Sequence, residues 1–306
     1  MTNTLKWEIV EPDVAAAFDG FDRPLEALAA SEIAALVIRG AWPVDACQRM
    51  VDRLITEDLL FDPFQPVPEK FIEQSIPEGY YREGKSALPN YAWNSKVGTG
   101  RIRIDIGSSL GYRGSDREGF FEHARESNVT LNHVFRDENP LNLLYEKLEE
   151  LSVDKKVRTA VEPDGREYGA GIIRAHYGGY TYRPHFDSVR LREKRDDFAV
   201  SKFEHQFAGV LVLQNSTVDE RSAHGILHRC VWQPDIDPHL FHGTFNEYAA
   251  ENHVEHVEVK LQAGDLYFFN TRCIHEVPGI DGELPRIVLA TFIGFDTEQD
   301  EIFVWS

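Results

Sequence analysis

From about residue 170 onward the chain is a succession of short apolar segments separated by turns, and this rhythm restricts the fold more than any other feature. Segments near 170–177, 182–188, 207–214, 225–232, 254–260, 265–270, 273–277 and 286–295 are rich in β-branched and aromatic residues and read as strands. A strand of this length buries one face and needs a second sheet opposite it, so the expected core is a sandwich or jelly roll. The turn Glu162-Pro163-Asp164-Gly165 marks the change of texture. Upstream, Val44, Cys47, Val51, Leu54 and Ile55 recur at helical spacing, which predicts an amphipathic helix over 43–58 behind a short buried strand at 35–39. Residues 118–127 and 140–152 also read as helices. The fold class expected is mainly β with flanking helices (α+β). One domain spans 1–306, in which 1–165 elaborate a jelly-roll core at 166–296. Two polar segments interrupt that core, the charged run 190–206 and the histidine-rich stretch 215–253. Insertions of this kind in a compact β-domain serve as lids or binding loops.

Composition excludes several partners. With 51 acidic and 32 basic residues the net charge is −19, which repels nucleic acid and anionic lipid. No apolar run approaches the roughly 20 residues that span a bilayer. The start of the chain lacks the basic and apolar regions of a secretory signal, so a cytoplasmic location is expected. Cys47, Cys230 and Cys273 have no paired spacing, which argues against a disulfide framework or a cysteine-type zinc site. The expected partner is a small molecule, with neither nucleic acid nor membrane. Oligomeric state is not legible, and the terminal EIFVWS could pack on its own barrel or on a neighbour.

Chemistry concentrates in the second half. In RPHFDSV, His185 and Asp187 are two residues apart, so on a strand both point to one face. An imidazole and a carboxylate converging in this way can hold adjacent corners of an octahedral metal, and a third protein ligand would leave open positions of the kind non-haem Fe(II) uses. His275, after the Gly-Asp turn and apolar strand of QAGDLYFFNTRCIHEVPG, is the best third ligand. Eleven residues later, Arg286 opens RIVLATFIGF, and a guanidinium at a barrel mouth can grip a carboxylate through two parallel hydrogen bonds. The segment RIRIDI alternates, with Ile102, Ile104 and Ile106 on one face and Arg101, Arg103 and Asp105 on the other. Arg101, Arg103 and Arg174 are candidate anchors for an anionic substrate, and Tyr182 is a further candidate at the site. His224 and His228 lack a matching carboxylate or cysteine cluster and read as surface or lid residues.

The run YTYRPHFDS, then AGDLYFFNTRCIHEV, then LPRIVLATFIGF resembles the Fe(II)/2-oxoglutarate-dependent oxygenase superfamily, in its prolyl-hydroxylase-like and phytanoyl-hydroxylase-like branches, over roughly residues 170–296. ALVIRGAWPVDACQRMVDRL resembles the strand and helix that commonly precede the core there. The resemblance implies a double-stranded β-helix with Fe(II) held by His185, Asp187 and His275. It implies 2-oxoglutarate bound through Arg286, O2 as oxidant, and hydroxylation of a substrate C–H with release of succinate and CO2. Two departures stand out. Many relatives carry Ser or Thr two residues after the arginine, where this chain has Val288. Prolyl-hydroxylase-like members place a tyrosine nine residues before the first ligand, where this chain has His176 followed by Tyr177; either could hydrogen-bond the co-substrate. Halogenating relatives lack the carboxylate, so Asp187 favours hydroxylation, desaturation or ring formation. The expected substrate is an amino acid or a biosynthetic intermediate, with a protein or peptide still open. The alternatives are an iron oxidase of the same fold that needs no 2-oxoglutarate, and a jelly-roll module that binds without turnover.

Overall fold

A computed structural model describes residues 7–12, 22–74, 102–112 and 116–306. Along the chain come β1 (Ile9–Val10), α1 (Pro24–Ala29), β2 (Ala35–Ile38), α2 (Val44–Thr56), α3 (Glu69–Gln74), β3 (Ile102–Gly107), α4 (Arg117–Phe135) and α5 (Pro140–Ser152). They are followed by β4 (Lys156–Thr159), β5 (Ile172–Tyr177), β6 (Tyr182–His185), β7 (His205–Gln214), β8 (Thr217–Val218), β9 (Arg221–Ser222) and β10 (Gly225–Val231). The chain ends with α6 (Asp237–His242), α7 (Phe245–Glu251), β11 (His256–Val259), β12 (Leu266–Asn270), β13 (Cys273–Val277), β14 (Arg286–Phe295) and β15 (Glu301–Trp305). Helix starts follow local chemistry: Asn139 accepts from the Leu141 amide at 2.9 Å with Pro140 at the first helical position, and Asp116 accepts from Gly119 at 3.0 Å.

Among the described residues the larger sheet runs β1-β2-β12-β7-β14-β15-β4, with β5 and β3 added beside β14. The smaller sheet runs β11-β10-β13-β6. Strand alternation sorts the larger sheet into two faces. Leu211, Leu266, Phe268, Ile287 and Leu289 join the core beneath the helices, together with Leu54, Leu144 and Leu148. Val210, Val212, Tyr267, Phe269, Val288 and Ala290 face the smaller sheet, packing with its Leu227 and Val259. The two sheets thus form the double-stranded β-helix, helices covering the outside of the larger one. The Gly-Asp turn before β12 locks the N-terminal elaboration to this core. Asp265 accepts from the Gly40 amide and from Arg39, each at 2.9 Å. Gly264 sits at φ +92°, where a Cβ would lie 2.2 Å from the Trp42 carbonyl oxygen.

Several expectations need correction. Helix α4 continues to Phe135 rather than ending near 127, because Leu131, Val134 and Phe135 carry its apolar stripe onward. The stretch 215–253 is not one insertion: β10, inside it, pairs with both β11 and β13 and is central to the smaller sheet. The strand expected at 225–232 is therefore part of the core, with Leu227 facing the larger sheet. The terminal EIFVWS packs on its own barrel, β15 pairing antiparallel with β14, so the main sheet extends beyond residue 296. No helix among the described residues is long and apolar enough to cross a membrane.

Candidate metal centre and anion-binding cavity

His185 ends β6 and His275 lies directly opposite it on β13, an antiparallel register that brings their ring centroids to 4.2 Å. Asp187 follows His185 by two residues, and its backbone is pinned: its amide donates to the Thr271 carbonyl at 2.9 Å, and the Thr271 hydroxyl donates to its carbonyl at 2.9 Å. Phe186, between the two, turns the opposite way and stacks on Trp232 at 4.5 Å. Asp187 Oδ2 then stands 3.8 Å from His185 Nε2 and 3.5 Å from His275 Nε2. Among the described residues this is the one cluster of histidine, cysteine and carboxylate groups that could hold a metal.

The protonation pattern suits a cation. His185 Nδ1 lies 2.7 Å from the Arg183 carbonyl oxygen and His275 Nδ1 lies 2.9 Å from that of Cys273. A carbonyl only accepts, so each Nδ1 carries a proton and Nε2 is the nitrogen each ring turns toward Asp187. Burial, reinforced by His275 alongside, pushes the His185 imidazole down to about 3. Burial works to raise the Asp187 carboxyl. The neighbouring His275 and His185 rings and the Arg192 guanidinium outweigh it and hold the acid well below its ordinary range. Two imidazole nitrogens and one ionised oxygen are therefore presented together, a donor set that fits Fe(II).

The facing wall belongs to the larger sheet. Arg286 on β14 lies opposite His176 on β5, which lies opposite Arg103 on β3. The adjoining row aligns Val288, Arg174 and Asp105. Arg103 is fully buried and gripped by Asp105 through contacts of 2.8 and 2.6 Å, with its guanidinium 5.1 Å from the centre of the Tyr182 ring. Arg286 is 6% exposed, approaches His176 Nδ1 at 3.4 Å and shares the cavity with Tyr267. No carboxylate among the described residues pairs with Arg286. Burial, and then the charges of Arg286, Arg103 and Arg174, push the His176 imidazole well below its usual value and keep it neutral. His176 Nε2 and the Tyr182 hydroxyl are buried without a hydrogen-bond partner among the described residues. A buried guanidinium lacking a counter-charge, beside idle polar atoms, is the mark of an anion-binding cavity.

Arg286, His176, Tyr267 and the triad share one cavity, walled by Val210, Phe269, Val288 and Ala290. A second, larger cavity opens on the outer side of His185 and Asp187, lined by Arg103, Tyr180, Arg192, Glu193 and Trp305, and Arg174 and Tyr182 border both. The sequence left His176 and Tyr177 as alternatives, and the structure separates them. Tyr177 points to the helix side, stacks on Phe61 at 4.0 Å and donates to the Phe61 carbonyl at 2.9 Å. Arg101 lies outside the described residues. Tyr267 and Arg192 were missed. Parity with Phe269 could have placed Tyr267 on the inner face, whereas Arg192 is one of several arginines in a charged run with nothing to mark it.

Two histidines and a carboxylate between the sheets of a double-stranded β-helix, facing a buried arginine, define an Fe(II)/2-oxoglutarate-dependent oxygenase. Within that class the chain belongs to the family of the carrier-protein-independent halogenase WelO5, whose model matches residues 8–306. No curated protein matches in sequence. A solved structure described as an N-substituted L-amino acid dioxygenase from Burkholderia ambifaria AMMD is similar, with a TM-score of 0.55 and 15% identity over 92% of this chain and 90% of that one. A structure of such a dioxygenase in complex with alpha-KG, from the same organism, gives 0.53 and 16% over the same shares. At these identities the likeness shows the fold. Fe(II) and 2-oxoglutarate are the metal and co-substrate of this enzyme class, and the donor set fits them.

Proposed function

We propose that the protein hydroxylates an unactivated C–H bond of a small molecule in the cytoplasm, with His185, Asp187 and His275 holding Fe(II). The carrying observation is the buried Arg286, without a carboxylate partner among the described residues, in the same cavity as the triad. When bound, iron and 2-oxoglutarate together supply the oxidising power, the co-substrate leaving as succinate and CO2.

The chain's own groups do the rest. The carbonyls of Arg183 and Cys273 fix both histidine rings in the tautomer that offers Nε2. Arg286 and the Tyr267 hydroxyl grip the far carboxylate of 2-oxoglutarate, and neutral His176 adds a hydrogen bond without adding charge. With Val288 where relatives carry a hydroxyl, Tyr267 supplies that donor from the neighbouring part of the sheet. Val210, Phe269, Val288 and Ala290 keep bulk water from the reacting centre. The outer cavity opens to solvent beside His185 and Asp187 and gives a small molecule its approach to the metal corner. Arg103, Arg174 and Tyr182 on its wall favour a carboxylate-bearing substrate, such as an amino acid or a biosynthetic intermediate. The fold likeness to a dioxygenase of N-substituted L-amino acids supports the same reading.

Halogenation is the second reading, because the matching family is named for a halogenase. Asp187 stands against it, since it fills the coordination position that halogenating relatives leave for chloride. One assay distinguishes these outcomes. Anaerobic protein is loaded with Fe(II) and 2-oxoglutarate, then given oxygen and a metabolite pool in chloride- or bromide-containing buffer. Hydroxylation gives succinate and a product heavier by one oxygen atom, both lost in His185→Ala and Arg286→Ala. A product bearing halogen makes the chain a halogenase. Oxygen consumption without 2-oxoglutarate points to the oxidase, and iron binding with no succinate points to a binding module.

A further inference from the structure

The charged segment 190–206 reaches the metal centre through one residue. Arg192 Nη1 lies 2.9 Å from Asp187 Oδ1 and 2.6 Å from the Phe186 carbonyl oxygen, so a single guanidinium nitrogen ties the carboxylate to the backbone between the first two ligands. The turn that carries it is itself fixed. The Ser188 hydroxyl accepts from the Leu191 amide at 3.0 Å, the Ser188 carbonyl accepts from the Arg192 amide at 3.1 Å, and Gln206 Oε1 accepts from the Val189 amide at 2.9 Å. Thr271 already holds the Asp187 backbone. The freedom left to this residue is rotation of its carboxylate, and Arg192 removes it.

We propose that Arg192 is a positioning residue for the iron site: it occupies Asp187 Oδ1 so that Oδ2 alone, the oxygen facing both histidines, is offered to the metal. This rests on the iron assignment made above. A carboxylate free to turn can offer both oxygens and fill a coordination position that co-substrate or oxygen needs. A charge-assisted hydrogen bond to one oxygen prevents this and steadies the ligand. Because Arg192 also lines the outer cavity, a substrate seated there lies against the group that orients the carboxylate.

The test needs no substrate. Fe(II), under argon with 2-oxoglutarate, and Co(II) alone are titrated into wild-type protein, Arg192→Lys and Arg192→Met. The visible charge-transfer band of the Fe(II)–2-oxoglutarate complex and the Co(II) ligand-field bands are followed, and the metal-free melting temperature checks folding. Arg192→Met is expected to bind Fe(II) about 10–100-fold more weakly, the usual cost of losing such an outer partner, and to change the Co(II) spectrum. Arg192→Lys keeps the charge without the fork, should fall between, and carries the test if the methionine variant does not fold. Wild-type affinity and spectra in the variants overturn the proposal while leaving the iron site standing. A wild-type protein that takes up neither metal overturns both.

Discussion

The triad corner and the arginine wall face each other across one cavity, yet they are built in opposite ways. The corner joins the end of β6 to the middle of β13 in the smaller sheet, and its His185 and Asp187 side chains keep 22% and 24% of their exposure while His275 keeps 7%. The wall is aligned across three neighbouring strands of the larger sheet, where Arg286 keeps 6% and Arg103 none. The corner gathers one carboxylate and two imidazoles to receive a cation. The wall gathers three guanidiniums against one carboxylate, Asp105, to receive an anion. The contrast follows from what each ligand needs. A metal must enter and leave room for reactants, whereas a small dianion is held most strongly where water cannot compete.

If the two regions are independent, substitutions separate them, and the largest effects come at the corner. Asp187→Ala or His275→Ala should abolish succinate formation and weaken Fe(II) binding by more than the roughly 10–100-fold that outer-shell changes cost. Isothermal titration with Fe(II) measures this. Arg286→Leu should leave iron binding without co-substrate unchanged and raise the KM for 2-oxoglutarate about a hundredfold to ten-thousandfold. The figure comes from two charge-assisted hydrogen bonds of about 1.5–3 kcal/mol each, with about 1.4 kcal/mol per factor of ten. Loss of iron binding in Arg286→Leu would break the separation.

The same contrast governs what could be read from the sequence. The corner was legible because its ligands obey short-range spacing: two residues on one strand, then a histidine behind a recognisable turn and strand. Arg286 was legible by its distance from His275. The wall's full extent was not, because the row Arg286–His176–Arg103 exists only in the register of three strands whose order the sequence does not state. Alternation put Arg103 on the face opposite Ile102 and Ile104, but whether that face met solvent or a cavity depended on which sheet lay across from it. The central place of β10 was hidden for a related reason: the strand at 225–232 was legible, but its buried His228 read as lid polarity because nothing in the sequence placed Phe245 against it.

A smaller effect concerns acid. His185 is held near 3 in the folded chain against an ordinary 6.5, so below about 6.5 the unfolded chain binds the extra proton first. Asp187, held below its ordinary 3.8, acts in the same direction at lower pH, since the unfolded carboxyl protonates before the folded one. Metal-free protein should therefore lose stability as pH falls from about 6.5 toward 3. His185→Gln should flatten that fall, as read from urea midpoints at pH 7, 6 and 5. An unaltered slope would mean that His185 is not the group whose neutral form the fold selects.

The finest distinction sets neighbours on one strand against each other. His176 and Tyr177 are consecutive, so β5 sends one into the cavity and the other toward Phe61 under the helices. His176→Phe keeps a ring of similar size and removes its nitrogens, so it should raise the KM for 2-oxoglutarate about tenfold, the worth of one hydrogen bond to a charged group, at little cost in stability. Tyr177→Phe should do the reverse. It strands the Phe61 carbonyl, costs about 1–2 kcal/mol in urea unfolding, and leaves the KM untouched. Should Tyr177→Phe raise the KM instead, the cavity would reach through to the helix side of the sheet. The anion would then be held from both faces of β5 rather than from one.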